Sequence, residues 1–138
     1  MQKSRTLKQK IEYRMARRTS DDVFLPREFT DLSGEDQVLR ALRTLVREGR
    51  LIRLGYGVYA RARRSQLSGR TMVDSANGFS SAALQALTKL GVPWEASDSV
   101  KAYNEGRSTQ IPVNPAVKVK SRFKRRLSDG RTELRLEK

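Results

Sequence analysis

The stretch Arg47–Arg61 reads REGRLIRLGYGVYAR. Two short β-prone runs, RLIRL and GVYAR, meet at Gly55-Tyr56-Gly57, the pattern of a hairpin with a tight turn. Arginines 50, 53 and 61 punctuate the runs, and Arg63 and Arg64 follow directly. Gly49 stands where a preceding helix would end.

That helix is expected from Glu35 to about Glu48. Val38, Ala41, Leu42, Leu45 and Val46 recur at three- and four-residue steps and should face a core. Asp36, Gln37, Arg40, Arg43, Thr44 and Arg47 fall on the opposite side. Arginine and glutamine can bond guanine and adenine edges bidentately in the major groove, which is wide enough for a helix. The plain alternative is a solvated helix face. A hairpin immediately beyond the helix shifts the balance towards contact with nucleic acid.

Upstream, Lys3 to Arg18 can form a first helix with Leu7, Ile11 and Met15 on one stripe. Asp22 to Pro26 reads as a short extended segment, and Pro26 opens a short second helix, PREFTDL. Helix, helix, turn, helix, hairpin is the order of a winged helix-turn-helix. In that arrangement Gln37, Arg40, Arg43, Thr44 and Arg47 would read or flank the major groove. Arg53, Tyr56 and Arg61 would grip phosphates or the minor groove, holding the third helix in register. Tyr59 reads as ordinary hairpin packing, whereas Tyr56 at the tip fits packing and contact equally.

Composition agrees. The chain has 138 residues, a net charge of +14 and a pI near 10.9, which favours a polyanionic partner: nucleic acid first, an anionic membrane surface second. It contains no cysteine and no histidine, which excludes disulfides, Cys or His zinc ligands, thiol nucleophiles and Ser-His-Asp chemistry. The pairs Asp21-Asp22 and Glu35-Asp36 read as loop and helix-start residues rather than acid/base dyads. We therefore expect no enzyme, no cofactor and no metal. No apolar run approaches the roughly 20 residues needed to span a bilayer, and the N-terminus lacks the apolar core of a signal peptide. A cytoplasmic protein, nucleoid-associated when bound to DNA, is expected.

The expected class is α+β: residues 1–64 a winged helix-turn-helix, 65–80 a linker, and 81–138 a small α+β subdomain with a basic β-hairpin. Ser65 to Ser81 is rich in small polar residues. Ser80 to Gly91 should form a helix with Leu84, Leu87 and Leu90 buried, followed by a strand at VPWEA, a helix in SDSVKAYNEG and an extended STQIPV. Val117 to Leu127 alternates with a period of two: Val117, Val119, Phe123 and Leu127 on one face, Lys118, Lys120, Arg122, Lys124 and Arg126 on the other. That predicts a half-buried strand whose outward row of cations would extend a nucleic-acid footprint. A turn at Asp129-Gly130 should lead into a last strand.

The stretch Phe24–Arg61 resembles the winged helix-turn-helix of AbiEi-type antitoxins and related short proteins of bacteria and mobile elements. The shared pattern is carried here by Val38, Ala41, Leu42, Leu45, Glu48, Gly49, Leu51, Arg53, Leu54, Gly57 and Tyr59. STQIPV and GRTELRLE are similar to the family's second region. The resemblance implies binding to repeats upstream of the protein's own operon, transcriptional autorepression and, in some members, antagonism of a nucleotidyltransferase-like toxin. The longer C-terminal antitoxin region is expected to be absent or much reduced. Palindromic operators would call for a homodimer, although no long heptad supplies a seam. Two other classes stay open: a protein-interaction or inhibitor module on the same scaffold, with a toxin or other protein as partner, and an RNA-binding protein.

Overall fold

The computed structural model describes residues 5–75, 78–96, 116–119 and 126–137. Within them lie three helices, one 3₁₀ turn and seven strands, a mixed α+β architecture. Helix α1 (Leu7–Arg17) starts at Thr6, whose hydroxyl accepts from the Gln9 amide while the Gln9 side chain accepts from the Thr6 amide. This reciprocal pair satisfies two amides that the first turn would otherwise leave unbonded. Strand β1 (Val23–Phe24) leads to the 3₁₀ turn Pro26–Phe29, shorter than the expected helix through Leu32. Helix α2 (Glu35–Arg47), the expected third helix, is followed by β2 (Leu51–Gly55) and β3 (Val58–Arg64).

These strands form an antiparallel sheet in the order β1-β3-β2, and β4 (Thr71–Val73) pairs with the far end of β3. Alternation along the strands sorts side chains onto two faces. Phe24, Leu51 and Tyr59 turn towards α1 and α2, where they join Ile11, Met15, Phe29, Val38, Leu42 and Leu45 in one core. Val23, Leu54, Val58 and Ala60 turn the other way, into a second core. Helix α3 (Phe79–Lys89) fills that second core with Phe79, Ala82, Ala83, Ala86 and Leu87. The Gln85 side-chain oxygen accepts from the Asp22 and Val23 amides at 2.6 and 2.7 Å, tying α3 to β1.

A second sheet adds Val117 and Val119 to the same core. Its order is β5 (Trp94–Ala96), β6 (Ala116–Val119), β7 (Arg135–Glu137), with β5 antiparallel and β7 parallel to β6. Leu127 and Leu134 are buried there too, and the Ser128 amide donates to the Leu54 carbonyl at 2.8 Å.

The expected division at residues 65–80 needs correction. Part of the supposed linker is strand β4, Val73 is buried, and the second core draws on residues from both sides of the boundary. A sheet with apolar side chains on both faces requires a cover on each, so the two halves of the chain pack as one unit. The helix expected in SDSVKAYNEG and the extended STQIPV lie outside the described residues.

Candidate nucleic-acid interface

The two glycines around Tyr56 serve different purposes. Gly57 has φ +66°, a left-handed backbone that closes the β2–β3 turn and that side-chain-bearing residues adopt only with strain. Gly55 is needed for space: a Cβ there would stand 2.6 Å from the Arg126 carbonyl oxygen and 3.1 Å from Leu127 Cδ2. Tyr56, between them, is 80% exposed.

This hairpin and α2 enclose an open groove of about 880 Å³. Arg40, Arg43, Thr44 and Arg47 line it from the helix, and Arg53, Tyr56 and Tyr59 from the hairpin. The burial of Val38, Leu42 and Leu45 on one side of α2 forces the arginines onto the other. Arg53 and Tyr59 are direct cross-strand partners, so both project from the α2 side of the sheet. Tyr59 is 4% exposed and serves as the groove's floor and as core. Gln37 is exposed on α2 but does not line the groove.

Among the described residues, no carboxylate pairs with Arg40, Arg43, Arg47 or Arg53. Arg47 donates to the Thr44 hydroxyl at 3.2 Å and Arg53 to the Gly55 carbonyl at 3.2 Å. Glu35 lines the groove at the start of α2, where the helix dipole favours an acid. Pro26, Leu39 and Val46 add apolar wall, and the remaining polar rim is a cluster of exposed guanidinium groups beside the exposed Tyr56 phenol. Such a surface can accept phosphates and the edges or faces of bases.

Arg61 requires a correction. Its guanidinium lies beneath the helices, donating to the carbonyls of Asp21 at 2.7 Å, Arg18 at 2.7 Å and Met15. It also sits 5.0 Å from the centroid of the buried Phe24 ring. These carbonyls belong to the end of α1 and the loop after it, where the Met15 and Arg18 carbonyls accept only single amides, from Arg18 and Asp21. Arg61 adds charged donors to all three and is therefore a clamp, not a grip for phosphate.

The basic strand is met only in part. Lys118 is half-buried in β6, in the layer on the opposite side of the first sheet from α2, and does not line the groove. Arg126 is exposed, its backbone against Gly55 at the turn of the β2–β3 hairpin, and it pairs with Glu133 at 3.2 Å. Lys120, Arg122 and Lys124 lie outside the described residues. No described helix is long and apolar enough to cross a membrane.

Residues that the sequence pattern did not single out complete the electrostatics. Lys89 of α3 donates to Glu28 at 2.8 and 3.0 Å and to Asp21 at 3.2 Å, with its ammonium 5.0 Å from the Phe24 centroid. Arg17 of α1 and Arg5 just before it both stack on Tyr13, and the hydrogen bond that Arg17 donates to the phenol, helped by the two charges, holds it below the ordinary value. No spacing rule joins Lys89 to Glu28 or Asp21, since the pairing depends on where α3 docks.

Comparison with known proteins finds no matching family model, no matching curated protein and no matching solved structure.

Proposed function

We propose that this chain is a sequence-specific double-stranded DNA-binding regulator built on a winged helix-turn-helix, with α2 as the recognition helix and the β2–β3 hairpin as the wing. The element order and the sheet order β1-β3-β2 support that assignment. The observation that carries it is the groove in which Arg40, Arg43, Arg47 and Arg53 converge without a carboxylate partner among the described residues. With 13 residues, α2 is about 20 Å long, enough to lie in a major groove roughly 12 Å wide. By its resemblance to AbiEi-type antitoxins, the protein would repress its own operon from repeats upstream of it. It would need no catalytic group and would act in the cytoplasm.

Fluorescence anisotropy against the chain's own upstream DNA and a scrambled duplex, at physiological salt, tests this. A preference of about a thousandfold or more is expected, the lower end of the range for specific regulators. Equal, weak and salt-sensitive binding to both would refute it. The protein-interaction reading draws on Glu35, whose carboxylate lines the same groove and would repel nearby phosphates. A nuclease-insensitive protein complex, lost when Arg40 and Arg43 are removed, would favour that reading instead.

A further inference from the structure

The segment that reads as a linker is a second projecting hairpin. Ala62, Arg63 and Arg64 of β3 pair with Val73, Met72 and Thr71 of β4. Its tip is ordered by its own polar groups. The Ser65 amide donates to the Arg70 carbonyl and the Gly69 amide to the Ser65 carbonyl, both at 2.8 Å. The Ser65 hydroxyl accepts from the amides of Leu67 and Ser68 at 3.2 and 3.4 Å. On this fixed tip the Leu67 side chain is 100% exposed, flanked by exposed Arg63, Arg64 and Arg70 and by Met72 at 37%. Asp74, paired with Arg63 at 3.8 Å, is the one acid in the stretch from Arg61 to Asp74.

A leucine held fully in water at the tip of an arginine-rich hairpin contributes nothing to the core. Its place in the fold is informative. Thr71 Oγ1 lies 3.7 Å from the position a Cβ on Gly49 would take, so the hairpin starts against the C-terminal end of α2. The β2–β3 tip lies at the other end of β3, whose seven residues span about 20 Å. Two hairpins thus bracket the groove-lining helix. That separation corresponds to roughly six base pairs at about 3.4 Å each along one strand.

Building on the DNA-binding reading above, we propose that the β3–β4 hairpin enters the minor groove beside the α2 contact and that Leu67 wedges between base pairs, bending the duplex. Arginine suits a narrow groove lined by phosphates, and an exposed aliphatic side chain at a rigid tip suits partial unstacking of a base step. Met72 is the second apolar surface on this hairpin, and Arg64 and Arg70 would face the phosphates on either side of the minor groove that the wedge opens.

The test uses the full chain and a duplex of its upstream sequence labelled at both ends, with anisotropy reporting binding and energy transfer reporting end-to-end distance. Wild-type protein should shorten that distance, and 2-aminopurine about six base pairs from the centre of the α2 site should brighten on binding. L67S should keep the fold, abolish both signals and weaken binding about tenfold. R64A/R70A should weaken binding and steepen its loss with salt less than wild type. Binding without bending by wild type, or bending unchanged in L67S, would overturn the wedge and leave the DNA-binding reading intact. Loss of self-association in L67S with the bend unchanged would assign the tip to a second copy of the chain. Absence of duplex binding altogether would remove the DNA-binding reading and the wedge together.

Discussion

Helices α1 and α2 are both basic, yet among the described residues three cations of α1 and its cap meet carboxylates where the groove arginines of α2 do not. On α1 and its cap, Lys8 meets Glu48 at 2.8 Å, Arg14 meets Asp31 at 2.6 Å and Arg18 meets Glu28 at 2.8 Å. On α2, Arg40, Arg43 and Arg47 line a groove with no carboxylate partner among the described residues. The same division recurs within one hairpin, where Arg61 is turned inward onto three carbonyls and Arg53 faces the groove. Composition counts these arginines alike. What separates them is whether the fold brings a carboxylate or several carbonyls within reach; an arginine holding at most one neutral acceptor, as Arg47 and Arg53 do, keeps donors for a ligand.

The largest effect is expected at Arg61. Arg61→Ala should destabilise the protein by about 3 kcal/mol in urea unfolding, because three carbonyls lose a charged donor at a half-buried site. A change below about 0.5 kcal/mol would return Arg61 to the surface class. Gly55→Ala comes next, at about 1–3 kcal/mol, since the new methyl must displace the Arg126 backbone. The same unfolding measurement checks it, and a neutral result would mean that residues 126–127 can retreat from the hairpin.

Arg43→Ala acts on the groove instead of the core. Stability should change by less than about 0.5 kcal/mol, while affinity for the preferred duplex should fall by about 1–3 kcal/mol if that side chain reads a base edge. The smallest effect is expected at Asp31, whose carboxyl is held below the ordinary carboxylate range by its hydrogen bonds to Arg14. A depressed folded-state value contributes stability above the unfolded value and loses it as pH falls through the folded one. Asp31→Asn should therefore lower the Tm slightly at neutral pH, with the difference disappearing in acid. A difference that persisted in acid would mean that the ion pair is not its source.

Much of the N-terminal half was legible because its signals are local. The three- and four-residue apolar steps from Val38 to Leu45 placed α2, and Gly57 marked the turn. Arg40, Arg43, Thr44 and Arg47 followed from being opposite that apolar stripe, whereas Leu39 and Val46 line the groove and Gln37 does not. Less legible were features set by distant parts of the chain. Arg61 alternates onto the same face as Arg53, and only the docking of the end of α1 decides that one is covered and the other is not. Gly55 reads as half of a flexible turn, yet its smallness answers to Arg126, far along the chain. Small polar residues from Ser65 onward resemble a linker because a hairpin tip uses the same residue types.

The most direct test compares the two basic helices in one assay: anisotropy with the upstream duplex for R40A/R43A on α2 and for K8A/R14A, two of the paired cations of α1. R40A/R43A should bind at least tenfold more weakly, while K8A/R14A stays close to wild type. Equal losses in both, or a normal R40A/R43A, would contradict the assignment of the α2 groove as the nucleic-acid surface.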